Sequence, residues 1–153
     1  MAVPVQITFD ANAPGALSGF WALALGYRLD DPPPGFDSWP DALRAMDVPE
    51  EHWDDASAIV DPDGRGPRIF FQKVPEGKTV KNRVHLDVNA GRLGAPDDTE
   101  DPDRRKQVEW VAVQAHVEAL VAAGATRVQE RTGQFGEHFW VMADPEGNEF
   151  CVQ

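Results

Sequence analysis

Hydrophobic and polar positions fall into short, clearly phased runs. Val3, Val5, Ile7 and Phe9 alternate with Gln6, Thr8 and Asp10, which predicts a strand over residues 3–10 with one apolar face. Leu17, Phe20, Trp21 and Ala24 follow at i, i+3, i+4 and i+7, the stripe of a one-sided helix. Pro14 suits its first turn and Gly26 its left-handed stop. A short strand is expected over residues 27–29. The pattern then breaks. Pro32-Pro33-Pro34-Gly35 excludes regular structure, and Ser38 is placed to cap a short helix through Met46, with Asp41 as its capping-box partner. Trp39, Leu43 and Met46 would face inward, so residues 31–55 read as an insertion folded over the domain.

The next signal occurs twice. Ser57 to Val60, Asp61-Pro62-Asp63-Gly64 and Arg68 to Gln72 make strand, tight turn and strand; Phe139 to Ala143, Asp144-Pro145-Glu146-Gly147 and Glu149 to Gln153 repeat it. In each turn Pro fixes φ and Gly takes the left-handed position. Between the two hairpins lie a polar linker (residues 76–81) and a strand over residues 83–89 with Val84, Leu86 and Val88 toward the core. A charged loop is expected over residues 91–106, and its acidic run, Asp97, Asp98, Glu100, Asp101 and Asp103, reads as solvated. A helix striped by Trp110, Val113, Val117, Leu120 and Val121 and stopped at Gly124 comes next, then a strand over residues 125–131. The last hairpin is expected to begin at Phe135.

Both halves thus read strand, helix, strand, strand, strand. The letters echo too: Phe9-Asp10-Ala11-Asn12-Ala13 against Leu86-Asp87-Val88-Asn89-Ala90, and Ile69-Phe70-Phe71-Gln72 against Phe150-Cys151-Val152-Gln153. The expected fold is α+β. It is one domain over residues 1–153, with two βαβββ repeats, about 1–75 (carrying the insertion) and about 82–153. Set edge to edge, the two sheets would form a half-barrel cup with the helices on its outer face. The inner face would carry Gln6 and Thr8, then His85 and Asp87, then Glu149 and Cys151, with Phe70, Gln72, His138, Trp140 and Met142 from the hairpins. Aromatics around a few polar groups suit a small-molecule site; the competing reading is a solvated or dimer-contacting sheet face.

Composition narrows the partners. The chain has 153 residues and a formal charge of −12, which argues against nucleic acid and anionic membrane surfaces. Its single cysteine, Cys151, forms no internal disulfide framework and fits a reducing compartment. No signal-type start is seen and no apolar run reaches the roughly 18 residues of a membrane span, so a cytoplasmic location is expected.

Among single residues, His85 is either a ligand-contacting acid–base group or a structural histidine bonded to Asp87 or Asn82. Cys151 is a nucleophile only if a neighbour makes it a thiolate, and otherwise packs. Glu149 binds a ligand or finishes the turn. Trp21 and Trp110 read as core, His52 and His116 as surface groups, and Trp39 and Trp53 as parts of a lid or a stabilising flap.

The βαβββ repeat, the Phe20-Trp21 to Leu25-Gly26 helix end, His85-Leu86-Asp87 and Asp144 to Phe150 together resemble the vicinal oxygen chelate superfamily. That superfamily includes glyoxalase I, extradiol dioxygenases and bleomycin resistance proteins. Val80 to Asp87 resembles, more narrowly, the small bacterial glyoxalase-like domain proteins. The resemblance implies a homodimer and a metal held by His or Gln on the first strand, Glu on the fourth, His on the fifth and Glu on the eighth. Counting back from Leu25-Gly26 places Gln6 at the first position, whereas the internal echo places Thr8 there. His85 holds the fifth, Phe70 or Gln72 falls at the fourth, and Cys151 at the eighth. Both glutamates are therefore missing, and with them negative charge, ligation and a general base. Glu149, two residues from Cys151, would substitute only in part.

Two functions follow as expectations. The first is a module that binds a small aromatic or amphipathic molecule and needs no cofactor, with Gln6, Thr8, Phe70, Gln72, Asp87, His138, Trp140, Met142 and Cys151 around it. The alternative is a lyase, isomerase or dioxygenase that works with a divalent metal. In the binding module Gln6, His85 and Asp87 would fix orientation; if the protein is catalytic, His85 and Glu149 are the expected catalytic groups.

Overall fold

The computed structural model describes residues 3–94, 101–134 and 136–153. It divides into two compact units, Met1–Gly77 and Lys78–Gln153. Each is a βαβββ module with one four-stranded sheet.

In the first unit, β1 (Ile7–Ala11), β2 (Arg28–Leu29), β3 (Ala56–Val60) and β4 (Ile69–Lys73) lie in the order β1-β4-β3-β2. β1 runs parallel to β4 and the other pairs are antiparallel. Helix α1 (Pro14–Leu25) covers one face, with Leu17, Phe20, Trp21 and Ala24 buried as the stripe predicts. Phe9 stacks between Trp21 and Phe71, and Ile59 and Ile69 complete this core. Gly26 ends the helix in the left-handed conformation.

The second unit repeats the plan. β5 (Asp87–Val88), β6 (Thr126–Thr132), β7 (His138–Ala143) and β8 (Glu149–Val152) are ordered β5-β8-β7-β6, again with the first strand parallel to the last. Helix α3 (Pro102–Ala122) buries Val113, Val117 and Leu120. Met142, Phe150 and Val152 are fully buried strand residues of this unit. Among the described residues, no helix is long and apolar enough to cross a membrane.

Several boundaries depart from the sequence pattern. Val3 and Val5 are exposed and lie outside β1. The ladder starts at the Ile7–Ile69 pair, where the Ile7 N–H meets the Arg68 carbonyl. The strand expected at 83–89 shrinks to two residues and Val84 is exposed. Here the Asn82 side chain, not strand backbone, accepts the Glu149 N–H at 3.0 Å, which ends the pairing. Residues 101–106, read as loop, belong to the cap and first turn of α3. Asp101 accepts the N–H groups of Asp103 and Arg104, and Pro102 occupies the first helical position. The acidic residues 97, 98 and 100 lie outside the described residues, as does Phe135.

The insertion forms α2 (Trp39–Ala45), capped by Ser38, which accepts the Asp41 N–H as expected. Its buried stripe is centred differently. Ala42 is fully buried and Leu43 half-buried, whereas Met46 points to solvent and Trp39 is 41% exposed.

Each hairpin turn is held by its aspartate. Asp61 accepts from the N–H groups of Asp63, Arg65 and Gly66. Asp144, almost fully buried, accepts from the N–H groups of Glu146 and Asn148 and from the Asn148 side chain. Gly64 and Gly147 adopt φ of 67° and 86°, where a side chain is strained.

The N–H groups of Asp63, and then of Gly66, hold the Asp61 carboxyl below its usual 3.8. The Asp55 carboxyl is lowered first by its hydrogen bond to His52 and then by that to Lys73. With folded values depressed, the unfolded chain binds more protons as the pH falls, and the stability these groups contribute above their unfolded values is lost on acidification. Urea-unfolding midpoints should hold from pH 7 to about 5 and fall from about 4.5 to 3, with Asp61→Asn removing part of the fall. A flat midpoint down to pH 3 would contradict this.

Candidate functional site

Strand pairing decides which side chains share a face, because directly paired residues point the same way. In the first sheet Thr8 pairs with Phe70, Phe70 with Ala58, Asp10 with Gln72, and Gln72 with Ala56. These side chains face away from α1, while Ser57 faces it, 2.7 Å from Ser18. Gln72 donates to Asp10 at 3.0 Å. Gln6 precedes β1 and accepts from Arg68 at 2.7 Å. The two letter echoes are out of step by two residues: Asp10 pairs with Gln72, whereas its echo Asp87 pairs with Cys151, the echo of Phe70. A two-residue slip preserves the face, so Gln6 and Thr8 keep their side.

The insertion roofs this part of the first unit and encloses a pocket of about 280 Å³. Leu29, Trp39, Leu43, Trp53, Ala58 and Phe70 form its apolar walls, and Asp30, Asp54 and Arg68 its charged ones. Both indoles are anchored. Trp39 Nε1 donates to the Asp30 carbonyl and Trp53 Nε1 to that of Val48, each at 2.9 Å. Arg68 pairs with Asp30 at 2.8 Å, and its guanidinium carbon lies 5.4 Å from the Phe70 ring centre. Trp39 and Trp53, both of the insertion, line this pocket. Of the expected ligand contacts, Phe70 alone lines this pocket. Leu29, Asp30, Leu43, Asp54, Ala58 and Arg68 were missed, because they lie at strand ends, in the insertion or, for Ala58, at an apolar position inside β3, rather than in an alternating polar row.

In the second sheet Asp87 and Val141 pair with Cys151, and Ala143 pairs with Glu149, so these five share a face with Phe139. Trp140 pairs with Val152 and Met142 with Phe150, on the opposite face. His138, Trp140 and Met142 therefore do not stand beside Cys151 as expected. His138 stacks on Trp110 of α3, with ring centres 3.5 Å apart, and bonds Glu130 at 2.6 Å. Met142 is fully buried core. Trp140 is half-buried, and its Nε1 is enclosed without a hydrogen-bond partner.

His85, Asp87 and Cys151 do come together, their potential ligand atoms all lying within 4.8 Å of one another. His85 Nε2 is 3.3 Å from Asp87 Oδ1, and together with Phe139 and Glu137 the three line a shallow hollow. Glu149 pairs with Lys81, which first lowers its carboxyl below 4.5. Burial, then the charge and hydrogen bonding of Asp87, push the Cys151 thiol up to about 11. It is a protonated thiol at neutral pH, not a nucleophile.

The donor set of imidazole, carboxylate and thiol suits a borderline ion of the zinc type. It does not reproduce the two-glutamate, oxygen-rich set that the resemblance implies: Phe70 offers no ligand atom, Gln72 is bonded to Asp10, and Cys151 stands at the last position.

Comparison with known proteins gives a consistent picture. A family model described as a glyoxalase-like domain matches residues 6–153. The fold is similar to that of a glyoxalase/bleomycin resistance protein/dioxygenase family enzyme from Burkholderia phytofirmans PsJN, at TM-score 0.53 and 17% identity over 97% of this chain and 93% of that one. It is also similar to the fosfomycin resistance protein FosX from Mesorhizobium loti, at TM-score 0.59 and 10% identity over 100% and 91% of the chains. A FosX from Listeria monocytogenes, solved with Mn(II) and 1S,2S-dihydroxypropylphosphonic acid, aligns at TM-score 0.59 and 11% identity over 100% and 92%. No curated protein sequence matched. At these identities the structures speak for the fold alone.

Native Cys151, 8% exposed, should resist iodoacetamide at pH 8 and react once urea unfolds the chain. Mass spectrometry after timed quenching measures this; rapid labelling of the native protein would contradict the protonated, buried thiol.

Proposed function

The chain belongs to the glyoxalase-like domain family, and we propose that it binds a small aromatic or amphipathic molecule in the pocket beneath its insertion. The observation that carries this reading is the pocket itself. Trp39, Trp53 and Phe70 present aromatic surface around about 280 Å³, near the lower end of the usual range for ligand sites. Both indole N–H groups are tied to backbone carbonyls, so the rings are set in place before a ligand arrives and less ordering entropy is lost on binding. The fold suits such a role. Proteins that share it include one named for fosfomycin resistance and another for the glyoxalase/bleomycin resistance/dioxygenase family, and one fold hosts many chemistries.

Titration with a neutral two-ring probe, 2-naphthylmethanol, followed by calorimetry, tests the site. Saturable binding is expected. Trp53→Ala should weaken it at least about ten-fold, which is about 1.4 kcal/mol. Ala58→Leu, which fills the pocket without removing the lid, should do the same. Wild-type affinity in an Ala58→Leu protein that unfolds cooperatively would sink this reading.

A second reading rests on the convergence of His85, Asp87 and Cys151. These residues would hold a zinc-type divalent ion, which when bound would supply Lewis acidity to a metal-dependent lyase or isomerase, whereas the dioxygenase alternative would need a redox-active ion at the same residues. Glu149 stays the acid–base candidate in that case, with His85 engaged as a ligand. Protein purified without an affinity tag and dialysed against Zn²⁺ should then retain about one ion per chain by elemental analysis, and His85→Ala should lose it. Retention of none by the wild type contradicts this second reading and leaves the first intact.

A further inference from the structure

We infer that the pocket beneath the insertion selects a cationic ligand, an aromatic molecule carrying a protonated amine. The inference rests on the binding reading above and sharpens it to a substrate class.

The argument begins with the hydrogen-bond donors that line the pocket. Trp39 Nε1 and Trp53 Nε1 are spent on the carbonyls of Asp30 and Val48. The Gly15 N–H is spent on Asp54 Oδ1 at 2.6 Å. The Ser57 hydroxyl lies 2.7 Å from that of Ser18, which itself donates to the Gly15 carbonyl, so the Ser57 proton is directed to Ser18. What remains is the outer edge of the Arg68 guanidinium. Its charge is already compensated by Asp30, and another of its N–H groups is bonded to Gln6.

The acceptors are in the opposite condition. Asp54 lines the pocket with one oxygen on the Gly15 N–H, and among the described residues no Lys or Arg is ion-paired with it. The charged lining is two carboxylates against one guanidinium, which leaves one negative charge. Arg44 already lies over the Trp53 ring at 5.0 Å and Arg68 over Phe70 at 5.4 Å, so among the described residues Trp39 is the pocket aromatic with no guanidinium over its ring, whose negative face attracts cations. An anion would meet Asp54, which no Lys or Arg balances among the described residues, and a single guanidinium already paired with Asp30. An ammonium group meets the Asp54 carboxylate and the face of Trp39, while its aromatic part takes the apolar wall.

The test compares three probes of one shape: 2-naphthylmethylammonium, 2-naphthylmethanol and 2-naphthoate, titrated calorimetrically at low salt and pH 7. The ammonium should bind about five-fold tighter than the alcohol, and the naphthoate weaker than both. Asp54→Asn keeps an oxygen to accept the Gly15 N–H but removes the charge. It should bring the ammonium to the affinity that the alcohol has for the same variant. Naphthoate binding as tightly as the ammonium, or a cation preference that survives Asp54→Asn, overturns the inference while the binding reading stands. No binding of any probe overturns the binding reading itself.

Discussion

Asp61 and Asp144 each gather the backbone N–H groups of a tight turn into one carboxylate. The side chains that either sheet presents follow from that. A two-stranded hairpin has a period of two, so a slip of one residue would exchange every inward side chain for an outward one. The turn removes that freedom. In the first unit it sets Ala58 opposite Phe70, which puts a small and a large side chain side by side beneath the insertion. In the second it sets Val141 opposite Cys151 and Met142 opposite Phe150, which divides β7 and β8 between the two faces of the sheet.

With register fixed, the two units differ in what they build. The first has an insertion with two anchored tryptophans, so the sheet face opposite α1 has a neighbour that excludes water over apolar area. The second has no such roof among its described residues, and its corresponding face carries Lys81, His85, Asp87, Glu149 and Cys151. The same repeat thus offers apolar enclosure in one half and a half-exposed cluster of ligand atoms in the other. Enclosure suits binding, since burial of aromatic area is the larger favourable term. The cluster suits at most a single ion.

Much of the fold was legible in the letters. The stripes of α1 and α3, the twin Asp-Pro-x-Gly turns and the Ser38 cap each state a local preference that agrees with the whole. The failures have physical causes. Alternation predicts a strand only while a partner strand is present, and Val3, Val5 and Val84 have none. The Asp101-Pro102 cap was hidden within a charged stretch that resembled loop. The site was harder to see. His138 to Met142 is apolar on both faces, so the pattern could not tell which side Trp140 and Met142 take; only the pairing through Asp144 decides it. Arg68 and Asp30 lie 38 positions apart and meet only once β2, β3 and β4 have paired.

The central claim is that ligand binding belongs to the first unit, beneath Trp39 and Trp53. The most direct measurement is the set of nuclear Overhauser contacts from the ring protons of 2-naphthylmethanol in solution. The account predicts contacts to the Trp53 indole, the Phe70 ring and the Ala58 methyl group. Contacts to Phe139, His85 and Val141 in their place would contradict it and move the site to the second unit.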